Sequence, residues 1–464
     1  MGGSVDEAIV IERKSPQMRP DAKVEKVALF GNFGTGNLGN EATLQAMVLN
    51  VRKHLPNAKI SCICPKPQNT AVEYNIYPIP IRAPIQIWRL SSLWNREDKI
   101  ADGNISKATT WRYPRVRAVL KRSHRILTYP FIEAYRWRKG FAALKGNDLL
   151  IMTGTGMVGD YAIGPFDLHY DILRWSIISR LCRCKLLFVS VGGGPIRHAL
   201  SRSFIKTSLA LAEYCSYRDT PSKDHLSAVG IDVSNHAVYP DLAFSLPKVV
   251  IPANRDSEGR ETVVGVGIMN YHTRRGGPGS DQAIYRDYIA RIASFVVRLL
   301  DRGYTVRILI GDVTWDQDVR GDLKMELEGR GCNYDARGII DEPASSVDEL
   351  LLQLASVDVV VSPRFHNVLL GLMLGKPAIA ISYHEKFQPL MSGIGLDEFC
   401  CDIERIDVDE LIGKVVKLVE GAPAIKAQIA LKTENYRAAL DEQYLRIFES
   451  VQFCVRKPTD VRRT

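Results

Sequence analysis

The feature that most constrains this chain is a rhythm of short apolar run, glycine turn and helical pattern, and it occurs in two separate sets. In the first set, Lys26-Val27-Ala28-Leu29-Phe30 leads through a glycine-rich turn into apolar residues at helical spacing from Glu41 to Leu55, and the run Ala58 to Cys64 predicts the next strand. Strand, helix and strand in that order begin a parallel, doubly wound sheet. The rhythm resumes at Asp148 to Met152 before Gly154-Thr155-Gly156, at Lys185 to Val191 before Gly192-Gly193-Gly194-Pro195, and at Ala237 to Tyr239 before Pro240-Asp241.

The second set opens at Thr262 to Gly267 and continues through an amphipathic helix from Ala283 to Arg302 to a strand at Val306 to Ile310. A polar helix near Val347 to Ala355, the strand Val357 to Val361, the helix Asn367 to Leu374 and the strand Ala378 to Ile381 follow. A chain of 464 residues exceeds one ordinary core. The reading is therefore α/β, with two Rossmann-like lobes facing a central cleft, where ligands of such folds bind. Residues 1–23 read as a disordered leader and 24–246 as the first lobe, interrupted at about 65–145 by a Pro-rich, then basic and aromatic insertion. Residues 247–261 read as a linker, 262–454 as the second lobe with covering helices, and 455–464 as a loose tail.

The net charge of +9 asks for an anionic partner or serves solubility alone. The leader mixes acids, bases and prolines, so it forms no signal-peptide core, and no run of apolar residues is long enough to span a bilayer. These features predict a cytoplasmic protein. The nine cysteines include no CxxC pair and no histidine spaced to complete a zinc site, which predicts reduced thiols, no disulfide and no metal. The pairs Asp407/Asp409 and Asp316/Asp318 read as helix-start and loop acids. Arg112, Arg115, Arg117, Lys121, Arg122 and Arg125, with Tyr129, Phe131, Tyr135, Trp137 and Phe141, form either a helix pair with a basic outer face or a surface that lies on an anionic membrane. No nucleic-acid motif accompanies them.

The turn after the first strand contains Gly34, Gly36 and Gly39 in the dinucleotide-binding spacing. That fingerprint also needs an acid at the end of the next strand, where this chain has Cys64-Pro65-Lys66. No Gly-Lys-Ser/Thr follows, so the loop is not a phosphate-binding P-loop. Its glycines let a substrate approach the helix start, and Asn37, Asn40 and Glu41 offer the mixed donors and acceptors that hydroxyl groups need. The bland alternative has the glycines serving packing and Asn40 capping the helix.

The segment Val357 to Val361 runs through Ser362-Pro363 into Arg364-Phe365-His366. This places Arg364 and His366 at a strand's carboxyl end and a helix's first turn, where free N–H groups and the dipole attract an anion. Arginine adds a fork for carboxylate or phosphate, and histidine a proton donor tunable near neutrality. Arg218, expected just past a helix from Ser203 to Cys215, and Lys386, just after a strand, are candidate further cations.

The Gly-Asn-x-Gly-x-Gly-Asn-x-Gly loop, Tyr217-Arg218-Asp219 with Ser222, Pro240-Asp241-Leu242-Ala243, and Ser362-Pro363-Arg364-Phe365-His366 with Gly375 to Tyr383 and Lys386 together resemble the polysaccharide pyruvyl transferases. The pattern covers about residues 24 to 400. The resemblance implies the two-lobed GT-B architecture, phosphoenolpyruvate as co-substrate without a further cofactor, and a saccharide acceptor that gains a pyruvyl group or ketal. It implies His366 as general acid and Arg364, Arg218 and Lys386 as donor-binding residues, with Gly36, Asn37, Asn40 and Glu41 on the acceptor side. Asn40 stands where that family commonly has Asp. A lipid-linked acceptor would bring the protein to the inner face of the membrane. Two other readings use the same architecture: a nucleotide-sugar-dependent glycosyltransferase, and a non-catalytic carbohydrate- or membrane-binding homologue.

Overall fold

The computed structural model describes residues 24–84, 114–160, 163–253, 261–271, 282–334 and 338–452. The expected leader, the expected tail, most of the insertion before residue 114 and part of the linker lie outside them. Arg112 does too, as do the side chains of Arg115 to Arg125, so the basic half of the membrane reading falls beyond the described residues. Of its aromatic half, Phe131 stands out from the helix Pro114–Leu144 with 79% of its surface exposed.

The first lobe holds seven strands in the order β3-β2-β1-β4-β5-β6-β7. They are β1 (Lys26–Phe30), β2 (Lys59–Cys64), β3 (Tyr77–Pro80), β4 (Leu149–Thr153), β5 (Lys185–Val191), β6 (Tyr214–Tyr217) and β7 (Ala237–Val238). The second holds six in the order β10-β9-β8-β11-β12-β13, namely β8 (Val263–Gly267), β9 (Thr305–Leu309), β10 (Ile339–Ile340), β11 (Val359–Ser362), β12 (Ala378–Ser382) and β13 (Cys400–Asp402). Every named pairing is parallel. Central strands such as LLIMT and VVVS are buried throughout, which explains their unbroken apolar sequence.

In both sheets the winding reverses at the centre, between β1 and β4 in the first lobe and between β8 and β11 in the second. The carboxyl ends of strands at such a reversal leave a crevice between diverging helices. The glycine loop follows β1 and the Arg364–His366 turn follows β11. Topology alone therefore puts the two most distinctive sequence motifs at the two crevices.

Two elements depart from the sequence reading. The helix expected from Ser203 to Cys215 spans Ala199–Ala210, and Tyr214–Tyr217 is strand β6. Arg218 thus leaves the end of a strand, and its N–H donates to the carbonyl of Val191 on β5 at 3.2 Å. Inside the Pro-rich stretch, Tyr77-Pro78-Ile79-Pro80 forms the edge strand β3. Proline is tolerated there because residues of one parity point to the open side, while the other parity pairs with β2 and Ile81 donates to Cys64 at 3.0 Å.

The long helix Ala422–Gln452 does more than cover the second lobe. Its later turns return to the first lobe, where Gln443 bonds Ser190 at 3.0 Å and Ser216 at 2.6 Å, and the Tyr444 hydroxyl lies 2.9 Å from Ser245 Oγ. Buried polar ties of this kind fix one lobe's angle to the other. Among the described residues, no helix is long and apolar enough to cross a membrane.

Candidate active site

The glycine loop and the second lobe meet directly. Asn37 caps the helix Leu38–His54, its side chain accepting the Asn40 N–H at 3.1 Å. The cap is thus Asn37, not Asn40, whose amide donates to the Asn32 carbonyl at 3.0 Å. The loop then clasps the turn after β9: Val313 N–H donates to Gly36 at 2.9 Å, Leu38 N–H to Gly311 at 3.0 Å, and the Thr314 hydroxyl to Thr35 at 3.1 Å. Gly36 has φ of +95°, and a Cβ there would stand 2.5 Å from Thr314 Oγ1, so glycine is required on both counts.

Glu41 faces inward, accepting the Gly34 N–H at 2.7 Å and so holding the loop in shape. Burial pushes its carboxyl up to about 7, the Gly34 N–H opposing the rise and the Glu73 charge adding to it. With its pKa raised in the folded state, Glu41 contributes stability that is fully present below the unfolded carboxyl range and is lost as pH climbs through about 7. Glu41→Gln keeps an acceptor for Gly34 and removes the titration. Its stability advantage over the parent, read from urea denaturation, is expected to grow by roughly 2–3 kcal/mol between about pH 5 and pH 8. Parallel pH profiles for the two proteins would contradict this.

Three cationic or titratable side chains lie flat against glycines. A Cβ on Gly39 would stand 2.0 Å from His366 Nδ1, one on Gly192 would stand 2.6 Å from Arg218 Cζ, and one on Gly311 would stand 2.7 Å from Arg364 Cγ. Two of these glycines come from the first lobe and one from the second, so the site is assembled across the cleft. Phe365, at the start of the helix Phe365–Met373, is the shared platform. The Arg218 guanidinium lies 5.1 Å from its ring centre and Lys386 Nζ 5.3 Å, which brings together two expected donor-binding cations. Arg218, Lys386, Phe365 and Asp241 line an interlobe cavity of about 690 Å³.

Arg364 is committed elsewhere. Its Nε donates to Asp316 Oδ2 at 2.9 Å and its Nη2 bonds Oδ1 of the same carboxylate. Asp316 is fully buried and also accepts the Gly311 and Asp312 N–H groups at 3.0 and 2.9 Å. The sequence offers the Arg364 fork to a donor anion and reads Asp316 among the helix-start and loop acids. The structure closes one edge of that fork on Asp316, because a buried guanidinium needs a carboxylate of matching geometry.

His366 and Arg364 each keep 16% of their side-chain surface exposed. His366 Nε2 has no hydrogen-bond partner among the described residues and stands 3.9 Å from Asp241 Oδ2. Burial, then the charges of Lys386 and Arg218, hold its pKa well below the usual imidazole range. The resting ring is therefore neutral at physiological pH. The sequence predicts a pKa tunable near neutrality and both cations beside it, but not the burial that dominates the shift.

Sequence reasoning passed over Tyr383 as a site residue. Its hydroxyl lies 3.1 Å from Lys386 Nζ, and although burial pushes its pKa up, the Lys386, Arg364 and Arg218 charges bring it below the usual phenol range. Its place at the end of β12, three residues before Lys386, was the available signal. Among the described residues no group of three or more His, Cys, Asp or Glu could hold a metal. The arrangement is a cavity lined by Arg218, Lys386 and Asp241, with a neutral imidazole beside Asp241 and the glycine loop packed against that histidine at Gly39. It can bind a small polyanion and pass a proton.

The chain resembles known proteins in family and in fold. A family model described as polysaccharide pyruvyl transferase matches residues 37–385, a span that includes Arg218, Asp241, Arg364 and His366. The amylovoran biosynthesis protein AmsJ of Erwinia amylovora is 19% identical over 425 residues, covering 89% of this chain and 96% of that protein. Among solved structures, a UDP-GlcNAc 2-epimerase from Neisseria meningitidis bound to UDP-GlcNAc is similar with a TM-score of 0.52 at 9% identity, over 91% of this chain and 100% of that one. A glycosyltransferase from Rickettsia africae gives a TM-score of 0.51 at 11% identity, over 93% and 99%. These likenesses show the fold, two Rossmann-like lobes of GT-B type.

Proposed function

The chain belongs to the polysaccharide pyruvyl transferase family, and from that premise we propose that it moves a pyruvyl group from phosphoenolpyruvate onto a saccharide, closing a pyruvate ketal. One observation carries the donor assignment. Arg218 and Lys386 lie 5.1 and 5.3 Å from the Phe365 ring centre, beside an unpartnered His366 nitrogen, and two cations brought to one ring suit an anion bearing both a phosphate and a carboxylate.

The proton logic supports the same donor. Burial first, and then the field of two cations, keeps His366 neutral while the pocket is free. An incoming trianion offsets that field, so the imidazole gains its proton only once the donor is in place. It can then protonate the methylene carbon of the enol phosphate, turning C2 into an oxocarbenium-like centre open to a sugar hydroxyl. Arg218 and Lys386 neutralise the departing phosphate. Arg364, clamped to Asp316, adds positive field and holds the turn that carries His366. Asn37, Asn40, Glu41 and Gly36 contribute to the acceptor side through the loop they build.

The rival donor is a nucleotide sugar, because a fold relative is bound to UDP-GlcNAc. Thermal shift separates the two: a ligand at a hundredfold excess over its Kd stabilises the folded state by about 2.7 kcal/mol. Phosphoenolpyruvate is expected to raise Tm while UDP-GlcNAc leaves it unchanged. The reverse pattern would replace the proposed donor with a nucleotide sugar.

A further inference from the structure

We propose that Asp241 is the general base of the reaction and forms with His366 a two-residue proton circuit. This deepens the function proposed above and rests on it. Asp241 ends the Pro240-Asp241 turn after β7, where Oδ1 accepts the Ala243 N–H at 3.1 Å and fixes the carboxylate. Its other oxygen, Oδ2, lies 3.4 Å from Arg218 Nη1 and 3.9 Å from His366 Nε2. Asp241 is 5% exposed and lines the interlobe cavity with Arg218 and Lys386. Among the described residues, it is the carboxylate within 4 Å of the histidine.

The chemistry needs a base at this point. Adding a saccharide O–H across the enol double bond delivers one proton to C3 and releases another from the attacking oxygen. His366 gives up its Nε2 proton as the C3–H bond forms, the hydroxyl oxygen bonds to C2, and the hydroxyl proton passes to Asp241 Oδ2. When the C2–O bond to phosphate breaks, phosphate leaves with the electron pair and the second hydroxyl attacks C2. Its proton departs on the phosphate, so two O–H protons become one C–H proton and one phosphate proton. With Oδ2 3.9 Å from Nε2, the proton stored on Asp241 returns through one bridging water, or once the two groups close to hydrogen-bond reach, and resets the pair.

The environment is matched to that exchange. Burial raises the Asp241 carboxyl, with Arg218 pulling it back, while burial and the same cations lower the His366 imidazole. Raising the acid and lowering the base moves the two affinities for a proton toward each other, the direction that an exchange between them needs. A bound donor would draw Arg218 toward itself, loosening its grip on Asp241 as the base is needed.

The test separates a base from a strut for Arg218. In Asp241→Asn, phosphate release from phosphoenolpyruvate with extracted cell-surface glycans is expected to fall about 10²–10⁴-fold. Phosphoenolpyruvate binding by calorimetry should hold or tighten, because a carboxylate competing for Arg218 has gone. Formate added to Asp241→Ala should restore part of the turnover in proportion to its concentration. Weakened donor binding with no formate rescue would make Asp241 a structural support and overturn the proposal. So would an Asp241→Asn enzyme that turns over normally beside an active parent. A parent protein that releases no phosphate from phosphoenolpyruvate would instead overturn the transferase reading, and the base with it.

Discussion

His366→Asn is expected to abolish most turnover, lowering phosphate release from phosphoenolpyruvate by about 10²–10⁴-fold while the donor still binds. Asparagine preserves a polar group of similar reach against Gly39 but carries no proton to give. The mechanism makes a second claim that activity alone would not test. Burial and then the charges of Lys386 and Arg218 hold the free imidazole neutral, and a bound trianion cancels the charge part, so donor binding near neutral pH should draw a proton from solvent. Calorimetry in buffers of different ionisation enthalpy reads that uptake directly. It should be present in the parent and absent in His366→Asn. Equal proton uptake in both would place the titrating group elsewhere, and normal turnover in the variant would remove His366 from the chemistry.

Gly39→Ala is expected to cripple turnover even though alanine suits a helix better than glycine. Alanine is the better helix former by about 1 kcal/mol, and Gly39 lies inside the helix Leu38–His54, so local propensity favours the substitution. The opposing effect is steric. A methyl carbon at that position would sit 2.0 Å from Nδ1 and 2.2 Å from Cγ of the His366 ring. Either the imidazole rotates away from Asp241 or the lobes part at the loop that clasps residues 311–314. A displacement of about 1 Å at a reacting group costs on the order of 10²-fold in rate. Turnover is therefore expected to drop by about that factor, with Tm and phosphoenolpyruvate affinity close to those of the parent. A Gly39→Ala enzyme of full activity would mean that the two motifs do not work against each other.

Much of this architecture was legible in the residues, and the reasons differ from element to element. Apolar runs such as Leu149 to Met152 and Val359 to Val361 could be recognised because a central parallel strand is buried on both faces and tolerates no polar break. The short outer strands Ile339–Ile340 and Cys400–Asp402 left no such mark, since two or three half-buried residues carry no period. The start of Tyr214–Tyr217 is hidden, because Tyr214 and Cys215 suit the end of the preceding helix as well as a strand.

The site shows the same division. Arg218, Arg364, His366 and Lys386 stand at element ends, where sequence patterning points to ligand contact, and the fold gathers Arg218, His366 and Lys386 around Phe365. What patterning cannot show is partnership across lobes. That Asp316 would claim the fork of Arg364, 48 residues away, follows only from the turn after β9 packing against β11. The same holds for Glu41, which was read as reaching toward hydroxyls and instead bonds Gly34. Asp241 appeared in the sequence as one letter of a shared motif. Its closeness to His366 arises from the two lobes facing each other.

The central claim is transfer of three carbons from the enol phosphate to a sugar, and isotope transfer reads it without inference. Phosphoenolpyruvate labelled with ¹³C at C2 should be incubated with the protein and extracted cell-surface glycans, and the glycan and phosphate pools followed by NMR. The account predicts a labelled quaternary carbon bonded to the glycan, appearing in step with inorganic phosphate. Phosphate released with all of the label left in free pyruvate, or a labelled donor that remains intact, would contradict it.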